Sequence, residues 1–79
     1  MSKKYKEFLK TIKDMSPQEL LDNYNEFNDD LEYGLKPGYS YETTISCREE
    51  LKKSILERMT TKEIWLYSLD YLINGFLLN

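Results

Sequence analysis

"YGLKPGYSYETTIS", residues 33–46, lies between two runs of helical periodicity, and how it is read decides the fold. "KPG" is a turn signal: Pro37 suits the second position of a β-turn, and Gly38 the third, where a positive φ is wanted. On one side of the turn stands Leu35, and on the other Tyr39, Tyr41, Thr43 and Ile45 alternate with a period of two. That pattern predicts an extended excursion able to hold a short β-hairpin, which must lean on helices because two strands alone are marginal. Its tyrosines either close the open end of a helical bundle or project outward as a recognition element, since tyrosine offers a large contact area at low entropic cost.

Upstream, "SPQEL" is a helix start. Ser16 can accept from the backbone at Glu19, Glu19 can reach back, and Pro17 sits where a missing N–H costs nothing. The helix it opens carries Leu20, Tyr24, Phe27 and Leu31 on one face and should stop near Gly34. Before it, residues 3–15 place Tyr5, Phe8, Leu9, Ile12 and Met15 at helical spacing. Downstream, Ser46 with Glu49 predicts a third start, followed by Cys47, Leu51, Ile55, Leu56 and Met59. Thr60 with Glu63 predicts a fourth, opening a run that is apolar around most of its circumference. One stripe of that run is Trp65, Leu69, Leu72 and Phe76, while Tyr67, Tyr71 and Leu78 belong to a second. Either the helix is the central one of the bundle, buried by the others, or its second stripe meets another copy of the chain or another protein. The expected fold is all-α: a small four-helix bundle, residues 1–79 forming a single helical domain, with a long loop between helices 2 and 3 that can contain a short β-hairpin.

At 79 residues there is room for one small core. A content of 41% hydrophobic and 32% charged residues suits a folded chain rather than a disordered tail. A single cysteine, Cys47, allows no intramolecular disulfide, and histidine is absent, so the commonest general base and metal ligand are both missing. No apolar run reaches the roughly 18–20 residues of a membrane span, and "MSKKYKEFLK" has no apolar signal region. The expected location is cytoplasmic, with no membrane partner. Nine lysines against two arginines, with frequent Asn, Ile and Tyr, suggest AT-rich coding, as in low-GC bacteria, their phages and plasmids.

Charge is segregated along the chain. Residues 1–13 hold five lysines and one glutamate, residues 14–32 hold seven acidic side chains and no basic one, and residues 33–79 hold six of each sign. Either the basic first helix lies beside the acidic second one and the charges pair, or the acidic face meets a partner with a basic surface. Nucleic-acid binding is disfavoured, because Arg48, Lys52, Lys53 and Arg58 are interspersed with Glu49, Glu50 and Glu57.

No catalytic constellation stands out. The three glycines match no phosphate loop, and a calcium loop begun at Asn28 would have Tyr33 where glycine is required. Cys47 falls in register with Leu51, Ile55 and Met59, which marks it as a small core residue rather than a nucleophile. The run "SPQELLD", residues 16–22, resembles the SQELD motif of small phosphatases of response regulators, but departs from it by Pro17 and one extra leucine. Those insertions would turn an active carboxylate elsewhere, so the resemblance assigns no activity.

The expectation is therefore a small non-enzymatic protein-binding module, without metal or cofactor, serving as an inhibitor or regulator of a host protein and encoded by a phage or mobile element. Its contact surface is expected around Tyr24, Glu26, Asp29, Asp30, Tyr33, Tyr39 and Tyr41. The alternatives are a structural homo-oligomer or homodimer joined through Tyr67, Tyr71 and Leu78, and a bacteriocin-type immunity protein.

Overall fold

The computed structural model describes residues 2–63, within which three helices run in order: α1 (Lys3–Ile12), α2 (Pro17–Tyr33) and α3 (Tyr41–Arg58). A short helical piece, residues 61–63, follows α3. The expected four-helix bundle, with a long loop able to hold a short hairpin, is thus corrected to three helices of substantial length with a seven-residue connection, 34–40, and no strand among the described residues. Both hydrogen bonds of the Thr60 capping box form, Glu63 N–H to Thr60 Oγ1 at 3.2 Å and Thr60 N–H to Glu63 Oε1 at 2.9 Å. The rest of the apolar run that it was expected to open, with Tyr67, Tyr71 and Leu78, lies outside the described residues.

α2 begins as its sequence predicts. The Ser16 side chain accepts from Glu19 N–H at 3.2 Å, and the Glu19 carboxylate accepts from Ser16 N–H at 2.9 Å. These bonds, the backbone one foremost, hold the Glu19 carboxyl below its ordinary range. Past the other end of α2, Tyr39 N–H reaches Lys36 C=O at 3.0 Å across Pro37 and Gly38, and Gly38 takes φ 81°. This is the predicted turn, with glycine at the position that needs the left-handed region.

The start of α3 differs from expectation. Its N-cap is Ser40, whose side chain accepts from Thr43 N–H at 3.1 Å, so Tyr41 to Ser46 are helical and Ser46 caps nothing. The Ser40 hydroxyl also donates to Thr43 Oγ1, and Thr43 Oγ1 donates to Ser2 Oγ, each at 2.9 Å. Ser2 is itself the N-cap of α1, accepting from Tyr5 N–H at 3.2 Å. The β-branched residues that suggested a strand are thus held in helix by a hydroxyl chain tying two helix starts together.

Those contacts set the topology. α1 and α3 begin side by side and run parallel: Ser2 meets Thr43, Tyr5 Oη donates to Glu50 Oε1 at 3.1 Å, and Arg58 closes the far end of α1. α2 returns antiparallel to both, and α3 packs against both, more extensively against α2 than against α1. The core joins Tyr5, Phe8 and Ile12 of α1, Leu20, Leu21, Tyr24 and Phe27 of α2, and Cys47, Leu51 and Ile55 of α3, with Met59 below. Leu56, grouped by spacing with this stripe, is instead 54% exposed. Each large apolar side chain fully buried here contributes about 1.5–3 kcal/mol.

Arg58 of α3 reaches back to the end of α1. Its Nη1 donates to Ile12 C=O at 3.2 Å, a carbonyl at the end of α1 that also accepts from Met15 N–H at 3.3 Å, and its Nη2 donates to Met15 C=O at 2.6 Å in the connection to α2. Arg58→Ala should cost about 1–2 kcal/mol, and Arg58→Lys should recover only part, because an ammonium lacks the two-pronged fork. Urea titration followed by helical circular dichroism reads the difference. Equal stability of all three proteins would deny these bonds any role.

Candidate functional site

The connection between α2 and α3 gathers several of the residues expected at a contact surface. Tyr33 closes α2 and is 81% exposed, while Tyr41 opens α3 and is 56% exposed. Leu35, between them and not anticipated by the sequence reading, is 41% exposed. The acidic residues Asp29 and Glu32 lie exposed on the last turns of α2, and Glu42 on the first turn of α3. Aromatic and acidic groups therefore share one end of the molecule.

Two expected members are placed elsewhere. Tyr24 is 5% exposed and belongs to the core, because α2 is gripped along this face by its neighbours. Tyr39 turns inward: its ring lies 5.8 Å from that of Phe27 and is half-buried against the core. Burial, foremost, raises the Tyr39 hydroxyl's pKa. Of the two roles open to the loop tyrosines, Tyr39 closes the helices and Tyr33 and Tyr41 face out.

Glu26 and Asp30 are engaged by the loop. Lys36 Nζ lies 2.7 Å from Glu26 Oε1 and 2.5 Å from Asp30 Oδ2, and 5.0 Å from the centroid of the Phe27 ring. Burial of the ammonium opposes its charge, yet the hydrogen bonds to Asp30 and Glu26 outweigh that and raise its pKa. Among the described residues no α1 lysine forms an ion pair with an α2 carboxylate; the ion pairs that do form include Lys36 with Glu26 and Asp30, and Arg48 with Glu49. The charge segregation is therefore not consumed between the first two helices.

Beneath the loop lies a cavity of about 320 Å³, lined by Glu7, Phe8, Thr11 and Met15, by Asn23, Glu26 and Phe27, and by Lys36 and Tyr39. Its aromatic wall is ordered: Phe8 and Phe27 stand edge to face with centroids 5.2 Å apart. The sequence reading missed this cavity, although Phe8 and Phe27 on adjoining helices with Lys36 in the loop were its visible components.

Cys47 is 0% exposed, and burial, with Glu50 nearby, pushes its thiol up to about 11, a core setting rather than a reactive one. No group of three or more cysteines and carboxylates suited to a metal ion occurs among the described residues, and none of their helices is long and apolar enough to cross a membrane. Comparison with known protein families, curated proteins and solved structures finds no match to this chain.

Proposed function

We propose that this chain is a protein-binding module that inhibits or regulates its partner by covering a basic surface on it. The observation carrying this reading is the pair Tyr33 and Tyr41, 81% and 56% exposed at the two mouths of one short loop. An exposed tyrosine contributes nothing to a core, yet at an interface it is among the residues that dominate binding energy. Leu35 extends the apolar patch, and the exposed acids Asp29, Glu32 and Glu42 surround it with negative charge. An aromatic centre with a charged rim is the usual anatomy of a recognition patch, and its sign selects a positive partner.

The test is affinity capture from cells expressing the tagged chain, with Tyr33→Ala/Tyr41→Ala run beside the native protein. Both positions are exposed, so the double variant should fold with stability changed by no more than about 0.5 kcal/mol per site. The expected result is one basic partner, released by salt, with affinity reduced at least about thirtyfold in the variant. Retention of the same partner at undiminished affinity would remove this face from the interface. Capture of nothing by the native chain would overturn the binding-module reading itself.

A further inference from the structure

The cavity between α1 and α2 is selective in what faces it. Residues 1–13 hold five lysines and one glutamate, and it is the glutamate, Glu7, that lines the cavity while none of those lysines does. Across from it α2 contributes Glu26, whose side chain is 59% exposed. Phe8, Phe27 and Tyr39 form the aromatic wall, with Thr11 and Asn23 as further polar groups. Lys36 pairs with both Glu26 and Asp30, so one ammonium faces two carboxylates there, and Glu7 adds a third; the Lys4 ammonium lies 5.8 Å from the centroid of the Tyr39 ring. A cavity with aromatic walls and an excess of negative charge suits a cation carrying an apolar stem.

The protein already shows that a cation is stable there. The Lys36 ammonium sits 5.0 Å from the Phe27 ring centroid while hydrogen-bonded to Glu26. Lys36 enters from the loop side and touches the edge of the cavity, whose volume of about 320 Å³ remains open beside it. A guanidinium suits the remainder better than a second ammonium, because its planar face stacks on rings while its fork addresses two carboxylates at once.

We propose that this cavity is an anchor pocket for one arginine side chain of the partner protein, with the guanidinium between Glu7 and Glu26 and its stem against Phe8, Phe27 and Tyr39. The assignment rests on the protein-binding reading above and deepens it: the basic surface that the acidic face meets supplies one arginine that enters this open cavity.

The test is titration of the isotopically labelled full chain with N-acetyl-arginine amide, followed by amide NMR, beside the neutral isostere N-acetyl-citrulline amide and n-butylamine. The arginine probe should shift the amides of Phe8, Thr11, Phe27 and Tyr39 saturably, and bind at least about tenfold more tightly than citrulline. Glu7→Gln, a change at an exposed position, should weaken the arginine probe about tenfold, whereas Lys36→Met should strengthen it by removing the competing cation. Equal response to arginine and citrulline would overturn the pocket's charge selection. Equal binding of n-butylamine would make it a site for free amines, and shifts confined to Asp22 and Asp29, or none, would dismiss it. Capture of the partner stands apart as a readout. A partner lost with Tyr33 and Tyr41 but indifferent to Glu7→Gln would sink the arginine anchor and leave the binding-module reading intact.

Discussion

Phe27→Ala is expected to unfold most of the protein at 25 °C. Phe27 is 2% exposed and joins three groups in the cluster under the loop: Phe8 at 5.2 Å, Tyr39 at 5.8 Å, and the Lys36 ammonium at 5.0 Å. Truncating a buried phenylalanine costs about 3–5 kcal/mol from lost transfer energy and the cavity left behind, and each aromatic contact adds about 0.5–1.5 kcal/mol. A domain of this size commands roughly 3–5 kcal/mol in total, so the loss equals the whole. Loss of helical circular dichroism in dilute buffer is the readout, with Leu56→Ala as control. Leu56 is 54% exposed, and its truncation should change stability by about 0.5 kcal/mol or less. A folded Phe27→Ala protein with less than about 1.5 kcal/mol lost would mean that the cluster under the loop is not part of the core.

The second large effect is alkaline. Burial raises the Cys47 thiol from its ordinary 9.0 to about 11, with Glu50 adding to the shift. Ionisation therefore favours the unfolded chain, in which the thiol is free to lose its proton near pH 9. Below pH 9 both states keep the proton, and this group gives no pH dependence. Between pH 9 and 11 stability should fall by up to about 1.4 kcal/mol per pH unit, amounting to roughly 2–3 kcal/mol. Tyr5, raised by burial first and then by its hydrogen bond to Glu50, and Tyr39, raised by burial, steepen the fall above pH 10. Lys36 adds to it, since its ion pairs vanish as pH rises through its elevated pKa. Urea midpoints at pH 8, 9, 10 and 10.5 measure the slope. In Cys47→Ala the decline from pH 9 to 10 should largely disappear, at about 1 kcal/mol of baseline stability for the lost sulfur. An unchanged slope in that variant would show that the thiol reaches solvent when folded.

What could be read from the residues follows from the range of the forces involved. The Ser16–Glu19 and Thr60–Glu63 boxes close within four residues, as does the Lys36–Tyr39 turn with Gly38 at φ 81°, and all three occur as expected. Periodicity likewise located the faces of α1 and α2, because burial of one helix side is written every three to four residues. The start of α3 was ambiguous at that range. Ser40 before Thr43 and Ser46 before Glu49 are both admissible caps, and period-two alternation through Ile45 favoured the later one. A signal for the earlier start did exist: Thr44, Cys47, Leu51 and Ile55, all 0% exposed, continue one helical stripe upstream of Ser46. Threonine at its head obscured the stripe, since its hydroxyl counts as polar until Ser40 C=O accepts it at 2.9 Å.

The surface was harder to foresee. Whether a loop tyrosine faces in or out depends on what lies across from it. Tyr39 finds Phe27, and Tyr33 and Tyr41 stay exposed. Tyr24 and Glu26 stand two residues apart, yet one is core and the other lines a cavity. The opposite charges of α1 and α2 suggested a paired seam, but α1 lies parallel to α3 and presents Glu7, not a lysine, to the cavity it shares with α2.

By itself the sequence determined the helical class, two capped starts, the Pro37–Gly38 turn and the amphipathic faces of α1 and α2, because each is set by neighbours a few bonds or one helical turn away. Only the tertiary structure decided where α3 begins, that α1 and α3 run parallel, which tyrosines remain exposed and that a carboxylate-rimmed aromatic cavity exists. These rest on contacts between residues about twelve to forty-six positions apart, such as Phe27 with Tyr39, Phe8 with Phe27, Ser2 with Thr43 and Ile12 with Arg58. Such contacts are chosen by the best simultaneous packing of all three helices, and no local window contains that choice.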